Sequence, residues 1–302
     1  MVNLTVIILT FNEEINIPHS ISNVVGWAKD VFILDSGSKD RTCEIAESLG
    51  AMVFLNKFET YAKQRNYAIK KLPIETEWTF FLDADEYLTE ELKKEIEETL
   101  VRTEYDGFYI KRRFYFMGRW IKYGGYYPTW LLRLFKKDTA IIERDINEHV
   151  RVSGRVGNLR NDFVDDNKKG VTDWIEKHNK YATFEAKELL NHEKLKVGCK
   201  EKRLINGERN GIANLFGSQA QRKMWIREYI WNPLMPPLIR PFIYFFYRYF
   251  FRLGFLDGKE GLIYHFLQGL WFVFLIDVKY LEMRGNGGRL NGKSLDRKDV
   301  KE

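Results

Sequence analysis

The sequence predicts an α/β protein in which a mainly parallel sheet is flanked by helices, continued by an antiparallel extension and followed by amphipathic C-terminal helices. Three features point there. Short apolar runs alternate with helical patterns over the first hundred residues, and longer strand-like segments with turns follow from residue 105. Aromatic, proline-rich sequence fills the region after residue 230. Strand, helix, strand, helix is the order of a parallel sheet covered on both faces.

The strands come first. "TVIILT" (5–10), "VFILD" (31–35), "AMVFLN" (51–56) and "WTFFLD" (78–83) are short and apolar on both faces, as buried strands are. The opening "MVNLTVIILTFNEE" lacks a basic leader, and its apolar run is too short for a signal peptide, so it reads as the first core strand. "CEIAESLG", capped by Gly50, and "ETYAKQRNYAIKKL" carry helical spacing. "YDGFYIKRRFYFMGRWI" and "WLLRLFKKDTAIIERDINEHVRVSG" read as longer antiparallel strands. Residues 171–194 read as one helix with Trp174, Tyr181 and Phe184 on its core stripe.

Four of the seven prolines lie at 233, 236, 237 and 241. A membrane-spanning helix needs about 20 mostly apolar residues. "PFIYFFYRYFFRLGFL" is broken by Arg248 and Arg252, whose helical spacing predicts one shared basic face. "LIYHFLQGLWFVFLI" contains His265 and Gln268. Both segments read as helices lying in a membrane interface, basic on one side and aromatic on the other. Packing on the core or at a subunit interface, and a true span, are the alternatives. Residues 285–302 read as a polar tail.

With 45% hydrophobic and 15% aromatic residues in 302, the chain supports a core, which excludes intrinsic disorder. The net charge of +6 is uneven: Arg222 to Arg252 holds six basic residues against one acid, Glu228. Nucleic acid and an anionic membrane both attract such a segment. Cys43 and Cys199 make neither a disulfide framework nor a metal cluster and fit a reducing cytosol.

Three polar clusters, "TFNEE", "DSGSKD" and "DADE", follow strands at the end where open α/β sheets bind ligands. In "DADE", Asp83 and Asp85 share a face and can hold Mg²⁺ or Mn²⁺ together with a diphosphate. The alternative is a solvated turn before a helix. Asp83, however, ends an apolar run, where a lone ionised acid is expensive. In "LDSGSKDRT", Asp35 followed by Ser36 and Gly37 makes a turn through which a ligand can approach the backbone, or else a plain strand-to-helix turn capped by Ser38. Neither G-x-G-x-x-G nor G-x-x-x-x-G-K-[ST] occurs, so dinucleotide and P-loop readings lose their main support.

"VIILTFNEE", "ILDSGSKDRT", "KQRNYAI" and "FLDADE", in that order and at those gaps, resemble the nucleotide-sugar half of family 2 glycosyltransferases, which have the GT-A fold. "GRWIKYGGYYPTWLLRLFKK", "INEHVRVSG", "WIEKHNKYATFEA" and the "GFLDGKEGLIYHFLQGLWFVFLIDVKYLE" ending resemble the branch that includes lipopolysaccharide-core β-1,4-glucosyltransferases. The resemblance implies a nucleotide-sugar half at 1–104, an acceptor half at 105–212 and a membrane-association or oligomerisation segment at 213–284. It implies that Thr10, Asn12, Glu13, Asp35, Ser36, Gly37 and Ala84 surround the nucleoside, with Arg65 near the phosphates. Asp83 would help hold the ribose and, with Asp85, Mn²⁺ or Mg²⁺, and Glu148 in "NEHV" would be the general base of an inverting transfer. Where relatives carry a histidine after the strand "NDFVDD", this chain has Asp165 and Asp166; His149 reads as structural. The implied partners are a nucleotide-sugar, UDP-linked by default, a lipid-linked or lipopolysaccharide-type glycan and the inner face of the cell membrane, with cytoplasmic peripheral attachment. A homo-oligomer is compatible, and nucleic acid is not expected. A soluble or protein acceptor is the second reading, and a non-catalytic basic binding protein the third.

Overall fold

The computed structural model describes residues 1–143, 149–198 and 235–285. The chain divides into two compact units, Met1–Lys122 with Tyr126–Gly170, and Tyr123–Gly125 with Val171–Glu302.

In the first unit the four expected strands form as β1 (Val2–Thr10), β2 (Ala28–Asp35), β3 (Met52–Leu55) and β4 (Trp78–Asp83). They pair in parallel in the order β3-β2-β1-β4. Alternate residues of β1 serve opposite faces: Val6 and Ile8 join one core, Ile7 the other. On the first side lie α1 (Ile17–Val24), α2 (Thr42–Ser48) and α4 (Glu90–Val101), contributing Ile17, Ile21, Ala46, Leu92 and Ile96. On the second lies α3 (Tyr61–Lys71), contributing Ala68 and Ile69. Helix α1 was not anticipated. Its apolar stripe is only two turns long, although Pro18 at its start is a position where a missing N–H costs nothing.

The extension is mixed rather than wholly antiparallel. After β5 (Glu86–Leu88) come β6 (Gly107–Phe116), β7 (Arg119–Trp120) and β8 (Thr129–Lys136), and β8 runs antiparallel to both β4 and β6. A separate hairpin joins β9 (Ala140–Glu143) to β10 (His149–Val152). Finally β11 (Val156–Asp165) enters parallel to β6 and antiparallel to β5. Short β5 thus becomes the sheet edge, beside the polar turn that leaves β4.

The second unit contains α5 (Gly170–Gly198), α6 (Arg240–Phe246), α7 (Gly258–Tyr264) and α8 (Phe272–Gly285), with wide π-type turns at Tyr247–Phe251 and His265–Trp271. The first π turn breaks the expected basic face. Arg248 is buried, donating from Nε to the Gly124 carbonyl at 2.6 Å and from Nη1 to the Tyr244 hydroxyl at 2.6 Å, while Arg252 is exposed. Four residues no longer close one turn when the local repeat widens. Gly124 has φ +67° and a Cβ there would stand 2.0 Å from the His265 ring, so only glycine fits. The helical stretch Gly254–Gly285 is long and apolar enough to cross a membrane by length and composition.

Helix α3 starts at Thr60, whose hydroxyl accepts from the Lys63 amide at 3.2 Å. Thr60→Ala should cost about 1 kcal/mol in urea denaturation, with the cooperativity of the transition unchanged.

Candidate active site at the strand ends

Register brings the polar clusters together. Thr10 lies opposite Asp35 across β1 and β2, and Leu9 lies opposite Asp83 across β1 and β4. On the far side, Asp165 of β11 lies opposite Glu86 of β5. Four strands therefore bring acidic residues to one region of the first unit.

Two arginines hold the acids of β4 and β5. Arg133, from β8, places Nη2 2.7 Å from Asp83 Oδ2 and 2.6 Å from Glu86 Oε1. Arg65, from α3, places Nη2 3.0 Å from Asp83 Oδ1. The Asp83 amide closes the turn by donating to Glu86 Oε2 at 2.9 Å. Glu86 is 2% exposed, and burial pushes its carboxyl well above the usual range, opposed by Arg133 and reinforced by Asp83. Burial also pulls the Arg65 guanidinium down, with Asp83 opposing. For Arg133 burial is outweighed by Asp83 and Glu86, which hold it firmly protonated. Protein cations thus already sit among these carboxylates. The sequence reading set Arg65 beside phosphates and did not find Arg133, whose signal was one charge inside the apolar run "WLLRLF".

Asp85 is in a different state. It is half-buried, and its Oδ2 accepts from Asn167 Nδ2 at 3.1 Å. Its carbonyl accepts from the Asp166 amide at 2.9 Å. Asn167 is held in turn, its Oδ1 accepting from the Lys169 amide at 2.8 Å. Asn16 joins the same loop, accepting from the Lys168 amide at 2.8 Å and donating to Glu13 Oε2 at 2.8 Å. Lys169 Nζ donates to Glu13 Oε1 at 2.7 Å. Burial raises the Glu13 pKa, and the bond from Lys169 opposes the rise. Ala84 and Asp85 line a small recess with Asn16, His19, Asp166 and Lys168. Asn16, Asn167, Lys168 and Lys169 escaped the sequence reading because no motif spacing marks them. Asp165 pairs with Arg112 at 3.0 Å, and Asp166 pairs with Lys168.

Asp35 is fully buried and accepts from its own neighbourhood: Thr10 Oγ1 at 2.8 Å, the Gly37 and Ser38 amides at 2.8 and 2.7 Å, and Ser38 Oγ at 2.5 Å. Gly37 takes φ +93°, which the turn requires. Asn12, at φ +54°, stitches the two loops together. Its amide donates to Ser38 Oγ and its Oδ1 accepts from the Lys39 amide, both at 2.8 Å. Ser36 accepts from Gln64 of α3 at 3.2 Å. The Cys43 thiol is pushed up to about 11, by burial first and by Asp35 next. Glu148 lies outside the described residues, between β9 and β10.

Among the described residues, no group of three or more His, Cys, Asp or Glu side chains is arranged to hold a metal ion. Asp85, with hard oxygen donors and one bond from a neutral amide, fits a divalent cation that draws its other ligands from phosphates and water. Asp83 fits less directly, because both its oxygens meet arginine.

Removing one partner of a buried ion pair leaves the other charge unsatisfied. Arg133→Met should therefore cost about 3–5 kcal/mol. Glu86 has its folded pKa above the ordinary carboxylate value of 4.5, so its contribution is largest below that value and is lost as pH rises through the folded pKa. The variant should accordingly lose stability as pH rises from about 4.5. The double variant Arg133→Met, Glu86→Gln should recover stability and flatten that slope, read by thermal melts across pH.

The family model for glycosyl transferase family 2 matches residues 5–165. An uncharacterized glycosyltransferase of Rickettsia bellii (strain RML369-C) is 38% identical over 94 residues, 31% of each chain. The match thus spans about a third of that relative's length. The lipopolysaccharide core biosynthesis glycosyltransferase LpsC of Rhizobium meliloti (strain 1021) is 29% identical over 197 residues, covering 61% of this chain and 70% of that one. Among solved structures, S. aureus TarS 1-349 in complex with UDP-GlcNAc aligns over 93% of this chain and 92% of its own, with 17% identity and a TM-score of 0.41. By the family model, which covers more than half its length, the chain belongs to glycosyl transferase family 2.

Proposed function

We propose that the protein is an inverting, metal-dependent glycosyltransferase that moves a sugar from a UDP-sugar to a hydroxyl of a lipid-linked, lipopolysaccharide-type glycan. The observation that carries this reading is the contrast between the two acids of "DADE": Asp83 is neutralised by Arg65 and Arg133, whereas Asp85, half-buried, is aimed by Asn167. A purely structural turn has no need of that difference. Support for the acceptor comes from the likeness to LpsC.

Asp85 would hold Mn²⁺ or Mg²⁺, with Asp83 kept as a fixed charge by Arg65 and Arg133. The metal supplies positive charge for the departing diphosphate. Asn12 and Asp35 shape the nucleoside loop: Asp35 draws Thr10 and Ser38 together, while Asn12, Ser36, Gly37 and Glu13 line the approach. Glu148, on the connection between β9 and β10, takes the acceptor hydroxyl proton. Residues 1–104 serve the donor and 105–212 the acceptor, and the enzyme works peripherally at the cytoplasmic face of a membrane.

Calorimetric titration with UDP and GDP, with and without Mn²⁺, tests the donor site. Metal-dependent UDP binding by the wild type, lost in Asp85→Ala, is expected; binding of neither nucleotide under any metal condition removes the proposal. Asn167→Ala should leave the melting temperature within a few degrees and weaken Mn²⁺ dependence by about tenfold or more, as loss of an orienting partner does. Glu148→Gln should keep UDP binding and lower turnover by at least about a hundredfold.

A further inference from the structure

We infer that the exposed aromatic face of the C-terminal unit lies in the boundary between headgroups and hydrocarbon of one anionic leaflet. The inference gives a physical basis to the membrane attachment proposed above and stands on the second unit alone. Beside an apolar cluster of Ala182, Ala186 and Ile276, this unit buries polar groups and exposes large aromatics. Arg240, Arg248, Asp257, His265 and Asp277 are at most 9% exposed, whereas Phe246 is 58% and Phe251 78% exposed. Arg240 and Asp277 pair inside: Arg240 Nε donates to Asp277 Oδ1 at 2.8 Å, and the Leu238 amide to Asp277 Oδ2 at 2.9 Å. Asp257 Oδ2 accepts from the Tyr123 amide at 3.0 Å.

In water both halves of this arrangement are unfavourable, because ions lose hydration and large aromatic side chains stay wet. Against lipid both signs reverse: charge belongs inside and paired, and aromatics belong outside. Exposed Arg252 and Lys259 on the same segment suit anionic headgroups. The helix from Arg240 to Phe251 is about 18 Å long, short of the roughly 30 Å hydrocarbon core. The far end of α8 is tied to polar α5, through Lys279 to the Asn179 carbonyl at 2.7 Å and the Tyr280 hydroxyl to Glu193 at 2.7 Å. A face lying in one leaflet accommodates both facts, although Gly254–Gly285 is by itself long and apolar enough to cross.

The test is flotation of the full chain with vesicles of phosphatidylcholine and phosphatidylglycerol. The wild type should float and stay bound in about 0.5 M salt, since buried apolar area is not screened. Phe246→Ser with Phe251→Ser should lower partitioning by on the order of tenfold to a hundredfold while keeping UDP binding and helical circular dichroism. A wild type that does not float overturns the inference, as does one that salt releases fully, which marks headgroup attraction alone. A vesicle-free dimer that the double variant converts to monomer also overturns it, because a second copy then covers the face. Flotation without UDP binding by the wild type would sink the donor reading and leave this one standing.

Discussion

A single buried guanidinium, that of Arg133, governs the strand ends. It reaches Asp83 and Glu86 together, joining the end of β4 to the start of β5 through side chains as well as through the Asp83 amide. Without a cation there, three acids within four residues repel one another in a region that is largely dry. With it, the sharp turn can keep Ala84 buried and deliver Asp85 to the recess. The geometry of Asp85 is therefore inherited from an ion cluster that Asp85 does not itself join.

The loop after β2 follows the opposite strategy. Asp35 meets hydroxyls and backbone amides, which are weaker individually but fix more of the chain. Asn12 adds a second set of bonds between the loops after β1 and β2. Rigid loops on a rigid sheet are what a site needs when its ligand is polar and its donors are mostly backbone.

Much of this was legible in the sequence. Apolar runs bounded by turn residues located β1 to β4 and α3 because local pattern and tertiary burial agree there. Asp35 and Asp83 were legible because they end apolar runs where an isolated charge is costly, and Asp85 because it follows two residues on, on the same face. Arg133 was not, because one charge in "WLLRLF" looks like an outward-facing strand residue until its partners from β4 and β5 are known. Asn16 and Asn167 were invisible for a related reason: 151 positions separate them, and they meet through a 3.4 Å contact that no local pattern encodes. Arg248 misled because helical spacing assumes a regular repeat, and the π turn at Tyr247–Phe251 is irregular.

The bond from Lys169 to Glu13 has a consequence for how the first unit can be cut and recombined. The match to the family model stops at residue 165, yet the residues that orient Asp85 and fasten the first loop are 166 to 169. A chimera joined at the end of β11 would carry the acidic turn while borrowing its latch from a stranger. The natural seam for grafting therefore lies at Gly170, where φ of +87° breaks the backbone direction after the latch has closed. The match to the family model and the compact unit end at different residues, 165 and 170.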